Sequence, residues 1–259
     1  MMSELKKGYF AKTLDKGMRV LSLFDQDNPS WSLTEIAEHL NLNLTSAYRL
    51  VNTFIELGYL KRGEKSKMIS LGPMAVALAH QLLHGFDPNR LIEPLVDDYH
   101  IRYDISIDVS MFHADYLIQV YNRESAGTLT YHQETVSEKL YCTGAGKSVL
   151  AFLPPTEATP LIRRQFYVCC TEKTITTAAA LERELGFIRE RGYALGNEEY
   201  IKGLIAIAAP ILSRTNHIPL GAVSFTTTTL EQSLDQFEEA YVPALCELAQ
   251  KLSEVIPDL

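Results

Sequence analysis

Cysteine is scarce in this chain and poorly placed for metal or disulfide work. The four present, Cys142, Cys169, Cys170 and Cys246, form no CxxC pair and stand at no ligand spacing from a histidine. That excludes zinc ribbons and fingers by pattern, and it reads as a reduced, cytosolic set of thiols. His80 and His84, four residues apart, make half a metal site with no second cluster to complete it, so no metal and no cofactor is expected. Long apolar runs are missing too. No stretch of 18 apolar residues occurs, and Met1-Met2-Ser3-Glu4-Leu5-Lys6-Lys7 lacks the apolar core of a signal peptide, so the chain reads as soluble and cytoplasmic, with no membrane partner. Positive charge is in deficit: 24 Lys and Arg face 32 Asp and Glu, a net −8 over 259 residues. Such a balance argues against nucleic acid unless the charge is unevenly spread.

It is unevenly spread. Residues 1–71 hold 10 Lys and Arg against 8 Asp and Glu, whereas residues 72–259 hold 14 against 24. Only a contacting face needs to be basic, so the first seventy residues are the place to look. There, Leu14, Met18 and Leu21 recur at helical spacing with Phe24 beyond them, which predicts a helix over Thr13–Asp25 with one apolar stripe. Asp27-Asn28-Pro29 breaks it. Ser32 followed by Glu35 is a capping box, and Trp31 with Ile36 is placed as a hydrophobic staple, so a second helix starts here and carries Ile36, Ala37 and Leu40 inward. Asn41-Leu42-Asn43 is a short turn.

A third helix is predicted over Leu44–Leu57. Ala47, Leu50, Val51, Phe54 and Leu57 share one side; Thr45, Ser46, Tyr48, Arg49, Asn52 and Thr53 share the other. A merely solvated face carries mixed charge. This one carries hydrogen-bonding groups and no acid, the side chains that meet phosphates and base edges. Gly58 stops the helix, and two short apolar arms then flank a polar turn, predicting a hairpin with four basic residues, Lys61, Arg62, Lys65 and Lys67. A capped helix, a three-residue turn, an acid-free helix face and a basic hairpin all point to a winged helix-turn-helix, with the hairpin placed to touch flanking DNA backbone. A plain three-helix bundle with a hairpin would require none of them.

Pro73 opens a helix that is apolar on nearly every side, through Leu83. Such a helix between two domains reads as a linker that also dimerises. Gly85-Phe86-Asp87-Pro88 marks a boundary, giving residues 10–71 as the DNA-binding domain, 72–85 as the linker and 86–259 as a second domain. That domain alternates helices (about 89–102, 179–191 and a long C-terminal one from Leu234 to Ile256) with strands over Ile105–Phe112, Tyr116–Tyr121, Leu204–Leu212 and Leu220–Thr228. The whole is α+β. Thr143-Gly144-Ala145-Gly146-Lys147-Ser148 imitates a phosphate loop, but the required first glycine is Tyr141, so nucleoside triphosphate binding is excluded; amides at a helix start would instead hold a small anion or carbonyl.

Several segments together resemble one family. Thr13-Leu14-Asp15-Lys16, Leu33-Thr34-Glu35-Ile36-Ala37, Thr45-Ser46-Ala47-Tyr48-Arg49-Leu50 and Leu57-Gly58-Tyr59-Leu60 are similar to the DNA-binding half of the IclR-type transcription regulators. Leu140–Ala151, Arg189–Ala194, Asn197-Glu198-Glu199-Tyr200, Ile207-Ala208-Ala209-Pro210 and Gly221-Ala222-Val223-Ser224 resemble the effector half. The resemblance implies a GAF-like effector domain, a dimer or tetramer, and a ligand-responsive regulator that binds double-stranded operator DNA and a small-molecule effector, an organic acid or an aromatic compound. It places Thr45, Ser46, Tyr48 and Arg49 in operator contact on the recognition helix, to which the helix face adds Asn52 and the basic hairpin adds Arg62, Lys65 and Lys67; the family's usual basic residue before the Ser-Thr pair is Leu44 here. It places Leu129, Gly144, Ala145, Gly196, Ala206, Ser224 and Thr226 in the effector pocket. Where family members that bind small acids have an acid and a cysteine, this chain has Gly196 and Ala206. The implied pocket is poorer in polar groups, for a ligand larger or less polar than a two- or three-carbon keto acid. Against this stand an enzyme (a hydrolase or transferase) with Cys142 as nucleophile and His132 folded near it, and a pure protein-interaction module.

Overall fold

The computed structural model describes residues 10–25, 28–63, 65–85, 88–125 and 135–257, with backbone alone at 83–85 and 88–89. Leu129 and His132, like the side chain of His84, lie outside the described residues. Contacts divide the chain into two units, Met1–Phe86 and Asp87–Leu259.

The first unit runs α1 (Lys12–Leu21), β1 (Ser30–Trp31), α2 (Leu33–His39), α3 (Leu44–Glu56), β2 (Leu60–Arg62), β3 (Ile69–Leu71) and α4 (Pro73–Gly85). Helix α2 starts where the capping box requires. Ser32 Oγ accepts from the Glu35 amide at 3.2 Å, and Glu35 Oε2 accepts from the Ser32 amide at 2.7 Å. Hydrogen bonding to the Ser32 backbone amide, and then to its side chain, holds the Glu35 carboxyl below the ordinary range. Asn41 takes a left-handed φ of 51° in the turn, which asparagine tolerates, and Asn43 caps α3 by accepting from the Ser46 amide at 2.8 Å. Val20, Ile36, Leu40, Val51, Leu60 and Ile69 form the core.

Helix α1 departs from the expectation twice. It ends at Leu21, where Ser22 turns its hydroxyl back onto the Met18 carbonyl at 3.1 Å. Its buried residues are Gly17 and Val20, while Leu14 and Met18 are 65% and 53% exposed. The cause is close approach: a Cβ at Gly17 would lie 3.3 Å from the Phe54 ring, so the helix seats its glycine against α3 and turns Leu14 and Met18 outward, while Leu21 and Phe24 stay packed against the core. On α3, Leu57 is likewise exposed rather than buried. The strand β1, which the sequence reading did not contain, pairs with β3 and makes the wing a three-stranded sheet, order β1-β3-β2. Its Trp31 indole donates to the Leu23 carbonyl at 2.9 Å. Within this unit α4 buries little: Met74, Val76 and Leu82 stand exposed.

The second unit is a six-stranded antiparallel sheet between helices. It runs α5 (Pro88–Tyr103), β4 (Ser106–His113), β5 (Tyr116–Arg123), β6 (Val136–Ser137), α6 (Gly144–Phe152), α7 (Pro155–Arg164), α8 (Ala178–Arg191), β7 (Ala194–Asn197), β8 (Leu204–Leu212), β9 (Pro219–Thr228) and α9 (Leu234–Val255), with strand order β6-β5-β4-β9-β8-β7. One sheet face packs Ile107, Val109, Ile205, Ile207, Val223 and Phe225 against α5 and α9. The other packs against a second cluster that includes Leu140, Val149, Leu150, Leu181, Leu185 and Ile188. Alternation of Ser106, Asp108 and Ser110 with Ile107, Val109 and Met111 predicts a half-buried strand. Ser106, Asp108 and Ser110 are nonetheless at least nine-tenths buried, because their face lies inward, where Asp108 and Ser110 line a cavity.

Candidate DNA-binding face and effector cavity

On α3, Thr45, Tyr48, Arg49 and Thr53 are exposed, and Ser46 and Asn52 half-buried. Lys65 and Lys67 are exposed on the hairpin turn, where Lys67 has a φ of 57°. Arg62 reaches from β2 to the helix, donating to Asn52 Oδ1 at 3.3 Å, so wing and helix present one continuous donor-rich face. Thr53 is spent differently: its hydroxyl donates to the Arg49 carbonyl at 2.8 Å and so is turned into the helix itself. Leu44, where the family's basic residue stands, is an exposed apolar side chain.

In the second unit, one cavity gathers Gly144, Ala145, Gly196, Ala206, Ser224 and Thr226, six of the seven positions that the resemblance placed in the pocket. Antiparallel register does the gathering. Gly196, Ala206, Thr226 and Ser106 lie side by side across β7, β8, β9 and β4; Ala208, Ser224 and Asp108 make the next row. The start of α6 closes one side. Thr143 caps it, its hydroxyl accepting from the Gly146 amide at 3.1 Å, and the first amides of a helix have no intrahelical acceptor. Gly146 itself is a packing residue: a Cβ there would fall 2.3 Å from the Leu140 carbonyl oxygen. The cavity encloses about 80 Å³ and opens to solvent through a wider mouth.

Gly196 and Ala206 bring no polar side chain to the cavity, but elements that the sequence reading did not place there do. Asp108, Ser110 and Gln119 from β4 and β5 line it, as does Glu199. Gln119 Nε2 donates to Asp108 Oδ1 at 2.6 Å. It reaches this face because the β4–β5 pairing shifts register at Val109/Ser110, a bulge that re-aims the residues beyond it. Burial pushes the Asp108 carboxyl up to about 7, with the Gln119 bond opposing and Glu124 adding to the rise. Lys147, the lysine of the false phosphate loop, is 1% exposed and binds Glu199 Oε1 at 2.5 Å. Burial raises the Glu199 carboxyl and the Lys147 ammonium pulls it back. Glu199 Oε2 is buried without a hydrogen-bond partner.

Cys142 also lines the cavity, but burial pushes its thiol up to about 12, the opposite of what a nucleophile needs. Among the described residues no group of three or more His, Cys, Asp and Glu is placed to hold a metal ion, and no helix is long and apolar enough to cross a membrane.

A helix-turn-helix with a wing, followed in the chain by a separate sensor-like α+β unit with an internal cavity, is the build of a DNA-binding transcription regulator that answers to a ligand. The comparisons place it more closely. The model for the IclR helix-turn-helix domain matches residues 13–64, and that for the bacterial transcriptional regulator IclR C-terminal matches residues 80–254. The chain belongs to the IclR family. It is similar to the HTH-type transcriptional regulator KdgR of Escherichia coli, 28% identical over 222 residues that cover 85% of this chain and 84% of KdgR. Among solved structures, the Thermotoga maritima IclR superposes with a TM-score of 0.69 at 26% identity, covering 94% of this chain and 98% of the other. An IclR homologue from Microbacterium hydrocarbonoxydans complexed with 4-hydroxybenzoate superposes at 0.74, with 20% identity and coverages of 93% and 98%. The family's members are transcription regulators, and the enzyme reading built on Cys142 has no support.

Proposed function

We propose that Thr45, Ser46, Tyr48, Arg49 and Asn52 enter the major groove of an operator while Arg62, Lys65 and Lys67 hold the flanking phosphates, and that a small organic effector seated in the cavity modulates this binding. Residues 10–71 are the DNA-binding part, 72–85 the linker and 86–259 the effector part. The effector is an organic acid or an aromatic compound. Its carboxylate or carbonyl meets the first amides of α6 at Gly144 and Ala145, and Gly196, Ala206, Ser224 and Thr226 complete the wall; Leu129 belongs to the set by family resemblance alone. The exposed apolar side chains of α4, Met74, Val76 and Leu82, are covered in a homodimer or homotetramer. The regulator works in the cytoplasm.

The observation that carries the DNA reading is the solvent-facing side of α3 from Thr45 to Thr53, which meets no acid before Glu56 in the last position of the helix and is continued by Arg62 onto the wing. The experiment is enrichment of binding sites from random duplex DNA on the intact protein, followed by anisotropy titration of the winning duplex. Wild type binds it, and Arg49→Ala loses that binding while keeping its thermal unfolding midpoint. A variant that binds as well as wild type would remove Arg49 from the interface.

A further inference from the structure

We infer that Asp108 selects the effector by what lies at the far end from its carboxylate: the ligand carries a hydrogen-bond donor there, a hydroxyl or an ammonium, and not a second acid or a bare methyl. The inference rests on the effector reading above and deepens it.

The geometry is that of a two-ended cavity. At one end are the N-terminal amides of α6, electropositive by the alignment of the helix's peptide groups. That helix start lies over β8, where a Cβ at Gly144 would sit 3.3 Å from the Ala208 Cβ, and the Asp108 carboxyl, at least nine-tenths buried, stands on β4 in the row of Ala208, two strands away. Its neighbours offer it one donor, Gln119 Nε2, and no described cation forms an ion pair with it. Among the described residues, every other titratable or charged group around it is acidic, already paired, or neutral: Glu124 just past β5 pushes it up, Glu199 is paired with Lys147, and Cys142 is held as a thiol. The unpartnered Oε2 of Glu199 is a second acceptor at the cavity wall. Ser110, Ser224 and Thr226 add hydroxyls, which adapt to either role.

With Asp108 ionised, this wall accepts hydrogen bonds, and among the described residues it offers a further anion no free cation. A buried acceptor left unpaired by an apolar ligand costs free energy, and two carboxylates facing each other cost more. A donor on the ligand instead completes the carboxylate's bonding, and bonds to a charged group are the strong ones. The acid of this pocket stands on β4 and not at Gly196 on β7, the position where the resemblance implies one. A side chain does not fit simply at Gly196, where a Cβ would sit 3.1 Å from the Ala206 Cβ. The Asp108 pKa near 7 adds a pH signature. Affinity for a donor-bearing acid rises as pH climbs through that value, because only the ionised carboxylate accepts fully.

The test is calorimetric titration of the full chain and of Asp108→Asn with matched acids. The aromatic set is 4-hydroxybenzoate, 4-(aminomethyl)benzoate, benzoate and terephthalate; the aliphatic set is 6-hydroxyhexanoate, 6-aminohexanoate, hexanoate and adipate. In at least one set, a donor-terminated member binds wild type about tenfold to hundredfold more tightly than its unsubstituted and diacid counterparts. In that set Asp108→Asn removes the preference and admits the diacid. The hydroxyl and ammonium arms separate the two donor chemistries. If wild type prefers the unsubstituted acid or the diacid, the donor requirement is wrong while the effector cavity stands. If no member binds either protein, cavity and donor requirement fall together.

Discussion

The DNA-facing helix and the effector cavity are assembled in opposite ways. The first is a local object: thirteen consecutive residues, one cap and one hairpin put Thr45, Tyr48 and Arg49 on a single exposed side. The second is a long-range object, in which Asp108, Gln119, Gly144, Gly196, Ala206 and Ser224 come from six elements spread over more than a hundred residues. A local site depends on helix propensity and capping; a long-range site depends on sheet register, so one shifted pair changes which residues face the ligand. The first is exposed and hydrogen-bonds outward, and the second buries charge that must be satisfied within.

Substitutions that separate the two sites sharpen this contrast. The largest effect is expected at the buried ion pair beside the cavity. Lys147→Met leaves Glu199 unpaired and should cost roughly 3–5 kcal/mol in urea unfolding, while the double change with Glu199→Leu recovers most of it. A mild effect of the single change would mean that water reaches the pair. Next is Arg49→Ala, which should weaken binding of the selected duplex by about 1–3 kcal/mol or more without altering ligand titration. Asp108→Asn acts on the cavity unit alone. The folded carboxyl titrates near 7 against an ordinary 3.8, so the folded state holds an extra proton between those values. Its stabilising share is present below pH 4 and is lost as pH rises through 7. The variant should therefore unfold at higher urea than wild type at pH 8, with the difference vanishing near pH 4. Ser32→Ala should cost about 1 kcal/mol by removing one half of the capping box, and should lower operator affinity only through stability. The smallest change is Lys65→Ala, which should flatten the slope of log affinity against log salt by about one without changing which duplex is preferred.

The same contrast explains what could be read from the chain. The capping box at Ser32 and Glu35, the turn at Asn41, and the polar face of α3 follow from spacings of three and four, and the structure has them where the spacing puts them. Strands β8 and β9 were legible from their apolar runs. Failures came where a contact from elsewhere decided. Nothing near Leu14 and Met18 announces that Gly17 will meet the Phe54 ring and rotate the helix. A two-residue strand such as β1 has no alternation to read, and α7 hides behind Pro155 and Pro160, although proline suits a first turn. In the cavity, family resemblance reached the positions on α6, β7, β8 and β9. It did not reach Asp108, Ser110 or Gln119, because serine and aspartate alternating with Ile107 and Val109 look the same whether the polar side faces water or a ligand. A buried cluster of hydroxyls and acid on one strand, with a bulge opposite, was the one available signal, and only the fold reveals it.

The central claim is that the Thr45–Asn52 side of α3 and the basic wing meet DNA. Its most direct test is mass-spectrometric mapping of side-chain modification on the intact protein, with and without the selected duplex. The duplex should protect Tyr48, Lys61, Lys65 and Lys67 and leave Lys173 and Lys202 as reactive as before. Unchanged reactivity at Tyr48 and the wing lysines, with protection appearing instead in residues 87–259, would contradict it.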